Sequence, residues 1–515
     1  MKARRFLYLA LAAVMMASPA CDPVEVQPST NTEEPGGKEE PKEPEKPQET
    51  AKKPSEEIQQ ADVFARNLLG TYYLWNTEVS KDLARFNPDT CFNPISLVNK
   101  IRYHENGKEV DHWTSMTKSL DEMTSSVQGT GLSFGYDLQA GSISNKPGTY
   151  FLLVTYVNNG KPAAEVGLKR GDIIMSIDGK DITASNIYDA FNAEKVTLGI
   201  AHLTSDGQHI GPIEKNVAMN ANKEWENPVL VDTTYDVNGK KVGYLAYSSF
   251  DLNTSNTLPD IFRKFKANGI EELIIDLRYN GGGYTFTECL LASLIAPPAN
   301  VAAKDVFQTE VYNSLLNNEW KRQGYDTNTY FSNKHEMASA NISQDITDAN
   351  PGITKLYAIV TGGSASASEG LIVGLGPYLD ITLVGEQTYG KYCAGLMMSP
   401  EDLYGKTSTT DYSKITKWGI YVMVSKFADK NGQNAAMPDG IPVNIKVGDN
   451  PLDGYQLGDE NETMLKAALT AAGKVYSKSS APATRSSRIE TTPLDHGMPR
   501  GMLIKTELPP VFVNE

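Results

Sequence analysis

The segment TGGSASASEGL, residues 361–371, contains the residue types that a serine nucleophile requires. It lies between a strand pattern and a helix pattern, and a serine at such a turn can present its hydroxyl at the edge of a sheet. The first turn of the helix supplies positive potential and backbone N–H groups. The small neighbours of Ser366 let a peptide backbone approach closely. Taken alone, the segment is equally consistent with a flexible loop of Ser, Gly and Ala.

A second segment, GEQTYGK at residues 385–391, follows an apolar strand pattern and ends in a lysine. One helix and one strand separate Ser366 from Lys391, and they can fold the lysine back towards the serine. Burial lowers the pKa of an amine because desolvation disfavours the charged form. A neutral Lys391 could then accept the proton of the Ser366 hydroxyl as a general base. A surface lysine in an ion pair is the alternative interpretation.

A third segment, IIDLRYNGGGY at residues 274–284, is a buried strand pattern that ends in Asn-Gly-Gly-Gly. Consecutive glycines can direct backbone N–H groups into one concavity, which suits an oxyanion. An ordinary turn is the alternative. We expect Asp276 and Arg278, which precede the glycines, to form a structural ion pair rather than to act in catalysis.

Together the three segments resemble the C-terminal processing, or tail-specific, serine peptidases. Those enzymes carry D-L-R-x-N-x-G-G, S-A-S-A-S-E and G-E-x-T-x-G-K in this order, and the likeness covers about residues 62–475. The resemblance implies peptide-bond hydrolysis through an acyl-enzyme, near the C-terminal tails of substrates, without a cofactor. It makes Ser366 the nucleophile and Lys391 the general base. The oxyanion hole would consist of backbone N–H groups from Ala367 and from Gly282 or Gly283.

One departure from the family pattern concerns the lysine. Many members carry Gln four residues after it, where the amide is thought to orient the amine, and Gly395 stands there in this chain. The group that orients Lys391 therefore stays open. So does an alternative function, a catalytically impaired peptide-binding scaffold or adaptor with the same fold. Glu369 belongs to the serine motif, and we expect it to favour the start of the helix.

In residues 129–222 the sequence changes from helical patterns to strand and turn patterns, which predict a PDZ-like, β-rich domain. An apolar strand, TYFLLVTYV, is followed by turns, a short strand and a short helix pattern, in an order that resembles a PDZ domain. Its first turn resembles the G-L-G-F loop, which captures a terminal carboxylate while the peptide adds as a strand. A small packing domain is the alternative. The loop residues are Gly131, Leu132, Ser133 and Phe134.

The remaining organisation predicts a multidomain α/β (α+β) fold. Residues 58–128 are helical in pattern, and their tryptophans, Trp75 and Trp113, are expected in the core. Strand and helix patterns alternate over 223–475, which indicates an α/β core; the resemblance implies a ClpP/crotonase-like protease core. Residues 476–515 predict a loosely ordered C-terminal extension.

The first 21 residues predict an export signal, with a basic start, an apolar stretch and small residues before Cys21. The site resembles a lipoprotein cleavage site, so Cys21 is the expected lipidation site; an ordinary secretory signal is the alternative. Residues 22–57 are rich in Pro and Glu and predict a disordered tether. We therefore expect an exported protein, lipid-anchored in the cell envelope on the periplasmic or surface side of a membrane.

The composition limits the classes of binding partner and cofactor that we expect for this chain. The 515 residues carry a formal net charge of -15, which argues against nucleic acid because an acidic protein repels phosphate. The six histidines are scattered, and the cysteine spacing matches no zinc motif, so the sequence predicts no metal and no cofactor. The expected partners are protein or peptide substrates with accessible C-termini. The natural substrate, its cleavage site and the oligomeric state are left open.

Overall fold

The computed structural model describes residues 53–143, 146–205, 207, 209–476, 491–494, 502–505 and 508. The predicted export signal, Cys21 and most of the tether lie outside these residues. Within the described part of the chain, no helix is long and apolar enough to cross a membrane.

The N-terminal segment is mainly helical and packs on the core. Its first helix begins after Ser55, whose hydroxyl accepts the N–H of Ile58, and it buries Phe64 and Leu68. The elements are α1 (Glu56–Tyr72), α2 (Ser80–Leu83), α3 (Pro94–Lys100), β1 (His104–Glu105), β2 (Lys108–Glu109), β3 (Ser115–Thr117) and α4 (Leu120–Val127).

The β-rich domain follows and has an apolar interior of its own, to which Leu138, Leu152 and Ile174 contribute. Its strands pair in the order β4-β5-β7-β6-β8-β9. The elements are β4 (Tyr136–Ser142), β5 (Thr149–Val157), α5 (Pro162–Glu165), β6 (Ile173–Ile177), β7 (Lys180–Thr183), α6 (Asp189–Asn192), β8 (Lys195–Ala201) and β9 (Lys215–Asn220).

The core alternates strands and helices, as the sequence predicts. Its elements are β10 (Val229–Val237), β11 (Lys240–Tyr247), α7 (Leu258–Ala267), β12 (Glu272–Asp276), β13 (Gly283–Tyr284), α8 (Thr285–Ile295), α9 (Pro298–Ala303), β14 (Val306–Tyr312), α10 (Ser314–Gln323), β15 (Thr329–Tyr330), β16 (Lys334–Met337), β17 (Ile342–Asp345), β18 (Lys355–Val360), α11 (Ala367–Leu375), β19 (Asp380–Gly385), β20 (Cys393–Met398), α12 (Pro400–Tyr404), β21 (Gly419–Ala428), β22 (Ile445–Lys446) and α13 (Thr463–Ala471).

Two sheets organise this core. In the first, the order is β10-β11-β12-β18-β19-β22, and the pairs from β11 onward are parallel. Strand β12 reads ELIID and is buried along its length, as expected of a parallel strand covered on both faces. In the second, β20, β21 and β14 are joined by β3 of the N-terminal segment. The predicted mixed α/β fold is confirmed.

The C-terminal extension differs from its prediction as a loosely ordered tail. Its described residues include two strands, β23 (Thr492–Pro493) and β24 (Leu503–Lys505). Strand β23 pairs with β4 of the β-rich domain, and β24 lies between β13 and β20 of the core. Local composition gave no sign of these strands because their hydrogen-bonding partners lie far away in sequence.

A buried ionic network joins the β-rich domain to the core. The expected ion pair between Asp276 and Arg278 is present, with Nη2 and Oδ2 2.7 Å apart. The guanidinium of Arg278 also contacts Glu462 at 2.6 Å, and Arg170 of the β-rich domain contacts Glu462 at 3.3 Å and Asp449 at 2.7 Å. These buried charges have mutual partners, so the network is stable only while it is complete.

Replacing Glu462 with Gln is expected to lower the free energy of unfolding by about 3 kcal/mol at neutral pH, since two buried guanidinium groups lose a shared carboxylate. Burial opposes ionisation of Glu462, but Arg278 outweighs it and lowers the pKa of the carboxyl. The contribution is therefore present above the ordinary pKa and is lost as the pH falls below it, so the difference should shrink in acid.

Denaturant titrations at several pH values measure this difference. Glu401→Gln is the control, because Glu401 forms an exposed pair with Lys406, and its loss should change stability by less than about 1 kcal/mol. Equal effects of the two substitutions would contradict the assignment of the network as a structural junction.

Candidate active site

Ser366 lies in the turn between β18 and α11, immediately before the helix. Its φ and ψ angles are 65° and -113°, a conformation that is strained for a residue with a side chain. The residue is buried, and its Oγ has no hydrogen-bond partner among the described residues. The turn is held by Asn280, whose carbonyl accepts the N–H of Ala365 and the hydroxyl of Ser368. The geometry matches the predicted strand-to-helix turn.

The buried carboxylate of Glu369 joins the serine turn to the lysine segment. Its Oε2 accepts the backbone N–H of Ser366 at 3.0 Å and that of Lys391 at 2.9 Å. Its Oε1 accepts the N–H of Gly390 and the hydroxyl of Thr388. Burial raises the pKa of Glu369, and the four hydrogen bonds oppose that rise. The structure therefore brings Ser366 and Lys391 together through one side chain, a contact that the sequence did not reveal.

Lys391 is fully buried in the segment between β19 and β20. Burial lowers the pKa of its amine to about 8, although the nearby Cys393, Asp111 and Glu369 favour the charged form. At this pKa a substantial fraction of the amine is neutral near physiological pH. A neutral amine can accept a proton, and the role of Lys391 as the general base stays a prediction.

Aromatic side chains hold the amine of Lys391. Its Nζ is 3.1 Å from the hydroxyl of Tyr421 and 4.9 Å from the ring centroid of Trp113. Both aromatic residues are buried. Trp113 lies in the core, as predicted, but the contacts of Trp113 and Tyr421 with the amine could not be predicted from the sequence, because neither residue belongs to a local motif.

Steric crowding explains why position 395 carries glycine and no larger residue. A Cβ atom there would lie 2.4 Å from Cε2 of Tyr421 and 2.5 Å from the methyl carbon of Met423, so no larger residue fits without a shift. Gly395 and Tyr421 belong to the paired strands β20 and β21. The ring of Tyr421 thus occupies the space that a side chain at position 395 would need.

The two glycines predicted for the oxyanion hole pack closely against their surroundings. A Cβ on Gly282 would lie 2.7 Å from Cβ of Ser366, and one on Gly283 would lie 2.4 Å from the carbonyl oxygen of Phe250. Their φ angles of 112° and 144° also favour glycine. The N–H of Gly282 donates to Oδ1 of Asn280 at 2.8 Å, so that donor is engaged in this conformation.

Ala367, the third predicted oxyanion donor, is the first residue of α11. An N–H in the first turn of a helix has no acceptor within the helix, so it can serve a ligand. Ala367 directly follows Ser366, and both are buried. Its role as a donor stays a prediction.

The predicted carboxylate-binding loop precedes β4. Ser133 exchanges backbone hydrogen bonds with Asn222, and Leu132 is exposed. Phe134 is buried in the domain's apolar interior, and Gly131 packs against the backbone of Ser126. Since the N–H of Ser133 is engaged, the role of this loop stays a prediction. Among the described residues, no group of three or more His, Cys, Asp or Glu could hold a metal ion.

Comparison with known protein families gives a match for the core and a match for the β-rich domain. Residues 241–447 match peptidase family S41, and residues 153–201 match the PDZ domain. The resemblance seen in the motifs is thereby confirmed. These matches lie within the predicted core and the predicted β-rich domain.

Curated relatives carry names that agree with the family. The C-terminal processing peptidase of Tetradesmus obliquus chloroplasts is 24% identical over 63% of this chain and 60% of its own length. The carboxy-terminal processing protease CtpA of Bacillus subtilis is 24% identical over 58% of this chain and 54% of its own length. The chain thus spans little more than half the length of these relatives.

One solved structure supports the fold. It is described as an S41 protease from Bacteroides fragilis, superposes with a TM-score of 0.62 at 23% identity, and the match covers 79% of this chain and 96% of that one.

The backbone strain at Ser366 predicts an unusual order of stability among variants. Ser366→Gly should be more stable than Ser366→Ala by about 1 kcal/mol, because both remove the hydroxyl but only glycine relieves the strained conformation. Denaturant unfolding of both variants measures this difference.

Ser368, within α11, supplies the matched control. There Ser368→Ala should be the more stable of the pair by about 0.5–1 kcal/mol, since glycine weakens a helix. The same order at both positions would show that the serine turn is not strained.

Proposed function

From its peptidase family S41 and PDZ domains, we propose that the chain is a serine endopeptidase acting near the C-terminal tails of proteins. Ser366 is its nucleophile, and Lys391 is its general base. One observation carries the proposal: the carboxylate of Glu369 binds the backbone N–H groups of both residues and so joins the segment of a buried lysine with a lowered pKa to the strained serine turn. That the curated relatives are named C-terminal processing peptidases supports the same reaction.

The reaction follows from these groups. The neutral amine of Lys391 takes the proton of the Ser366 hydroxyl as its oxygen attacks the peptide carbonyl. The resulting ammonium returns the proton to the departing amine, which leaves an acyl-enzyme. Water, activated by the same amine, then releases the acyl group and restores Ser366.

The developing oxyanion requires backbone donors. The N–H of Ala367 and that of Gly282 or Gly283 are the candidates. Gly282 can contribute only if its N–H leaves Oδ1 of Asn280, so its use as the donor would require a local rearrangement of the glycine segment.

Tyr421 is the positioning residue for Lys391 in this proposal. Its hydroxyl contacts Nζ, and its ring occupies the space beside Gly395, where many members carry Gln. The hydroxyl of Tyr421, on the neighbouring strand β21, therefore takes the orienting role that the Gln amide is thought to have in many members. This explains how the departure from the family pattern is compatible with activity.

Substrate capture and location complete the proposal. The PDZ domain, with the loop Gly131–Phe134 at its entrance, binds extended substrate tails and adds them to its sheet. The substrates are proteins of the cell envelope with accessible C-termini. Export through residues 1–21 and lipidation of Cys21 would hold the enzyme at a membrane, with residues 22–57 as its tether.

A fluorophosphonate probe tests the nucleophile and the base together. The parent chain should be labelled on Ser366, with a rate that rises with pH and levels off above an apparent pKa of about 8, because the base must be neutral. Ser366→Ala should abolish labelling, and Lys391→Met should reduce it by about 10³-fold or more.

Lys406→Met, at an exposed lysine, is the matched control and should label like the parent. Absence of labelling at every pH would instead favour the impaired peptide-binding scaffold. A labelling rate that does not change between about pH 6.5 and 9.5 would exclude Lys391 as the base.

Tyr421→Phe tests the positioning role. We expect kcat/KM to fall by about 10-fold or more, because the amine loses an oriented partner. The acid limb of the pH profile should also move to lower pH, since the ammonium loses an oxygen that stabilises it.

A purely structural role of Tyr421 would lower activity without moving that limb, and such a result would refute the assignment. Tyr412→Phe is the control: Tyr412 donates its hydroxyl to the carbonyl of Gly405 and does not contact Lys391 in the described contacts. Its pH profile should match that of the parent.

A further inference from the structure

The first strand of the C-terminal extension lies where a PDZ domain would add a peptide. Thr492 and Pro493 pair antiparallel with Ala140 and Gln139 of β4, which is the strand that follows the loop Gly131–Phe134. Without β23, β4 would form the edge of this sheet, and edge strands are the usual site of strand addition.

A buried leucine anchors this strand. Leu494 is 3% exposed and belongs to the apolar interior of the β-rich domain. Its N–H donates to the carbonyl of Leu138 at 3.4 Å, and the hydroxyl of Thr491 donates to the side chain of Gln139. The groove beside β4 therefore holds an extended segment through backbone hydrogen bonds and one apolar side chain.

The second strand of the extension lies beside the candidate catalytic serine. Strand β24 fills the slot between β13, which begins at Gly283, and β20, which follows Lys391. A Cβ on Gly282 would lie 2.9 Å from the carbonyl oxygen of Met502 and 2.7 Å from Cβ of Ser366, so the extension and the serine flank the same glycine.

Two side chains of β24 fix it in the slot. Ile504 is 2% exposed and packs in the apolar cluster shared by the N-terminal segment and β21. The amine of Lys505 lies 2.7 Å from Oε2 of Glu310, whose side chain is almost fully buried. The buried carboxylate of Glu310 is stabilised by a cation, and the apolar cluster beside it accepts an apolar side chain. The slot therefore favours a segment in which a basic residue directly follows an apolar one.

A cavity of about 470 Å³ adjoins the slot, and β24 forms part of its wall. Ile504 and Lys505 line it together with Tyr284, Met397 and Gln128. Departure of β24 would join this cavity to the slot beside Ser366. There would then be room for an incoming polypeptide where the extension now lies.

With the extension docked, the described contacts include no hydrogen bond between Oγ of Ser366 and Lys391. Oγ of Ser366 lacks a hydrogen-bond partner among the described residues, and the N–H of Gly282 is engaged by Asn280. The docked extension packs against that same glycine.

We infer that the C-terminal extension is a ligand in cis that occupies both peptide-binding sites of the chain, the groove beside β4 and the slot beside Ser366. The inference rests on the proposed function, since the slot is taken as the path of the substrate. A substrate polypeptide displaces the extension by offering an apolar side chain to the groove and an apolar-basic pair to the slot. Because the extension is covalently attached, its effective concentration is high and it restrains activity.

The test weakens both anchors in the full chain with Leu494→Asp and Lys505→Glu. The double variant should react with a fluorophosphonate probe at least about 10-fold faster than the parent, because the cis competitor is released. Binding of a fluorescent peptide with the sequence of residues 490–508 is measured in a Ser366→Ala background. The chain that also carries the two anchor substitutions should bind this peptide at least about 10-fold more tightly than the chain with Ser366→Ala alone.

Matched controls carry the same changes of charge at exposed positions. Val475 is 83% exposed, and Lys406 forms only a surface pair, so Val475→Asp with Lys406→Glu should react like the parent. The same peptide with glutamate in place of its lysine should bind at least about 10-fold more weakly, because it would bring a second carboxylate to Glu310 in the slot and keep only its anchor in the groove beside β4.

Hydrogen exchange of the unaltered chain keeps the test independent of how the variants fold. The amides of Leu494 and Ile504 should exchange much faster than those of β12, through local release of the extension. Exchange at the same rate as β12 would mean that β23 and β24 are permanent parts of the fold and would overturn the inference.

The other outcomes are also decisive. If the double variant reacts no faster than the parent and binds no peptide, the extension is not a competitor. If it binds the peptide but neither chain reacts with the probe at any pH, docking in cis stands and the hydrolase function fails.

Discussion

The carboxylate of Glu369 is the constraint on which the candidate active site depends. Ser366 and Lys391 belong to different segments, and each donates its backbone N–H to the same oxygen of this side chain. The site is buried, so four hydrogen bonds to one carboxylate are worth more than they would be in water. The strain at Ser366 needs such support, because a residue in an unfavourable conformation persists only when its surroundings fix it.

Much of this arrangement was predictable from the sequence because its signals are local. The core strands and helices follow apolar runs bounded by glycine, and the order of the three motifs indicated the family. The ion pair of Asp276 and Arg278 was also expected. The orientation of Lys391 was not predictable, because Tyr421 lies on another strand and contacts the amine only after β20 and β21 pair. For the same reason Trp113 was recognised as a core residue but not as a neighbour of the amine.

The junction between the β-rich domain and the core shows the same limit. Sequence patterns separate the two regions, but they do not indicate that Arg170 enters a network with Asp449 and Glu462, which lie nearly 300 residues away. Its charges are buried and mutually paired, so a change in the position of one domain would expose or separate charges in the other. The groove beside β4 and the slot beside Ser366 are thereby held in a fixed relation within the described structure.

The C-terminal extension illustrates why composition is a weak guide to strands. A segment rich in Ser, Thr and Pro buries little apolar surface, and on composition alone it predicts a tail without fixed structure. Strand formation, however, depends on whether an unpaired edge is available, and both β4 and the slot between β13 and β20 provide one. A few apolar residues, such as Leu494 and Ile504, then suffice to set the register. An edge that accepts a strand of its own chain in this way offers the same backbone groups that strand addition by another polypeptide would use, and this is the physical basis of the proposed competition between the extension and a substrate.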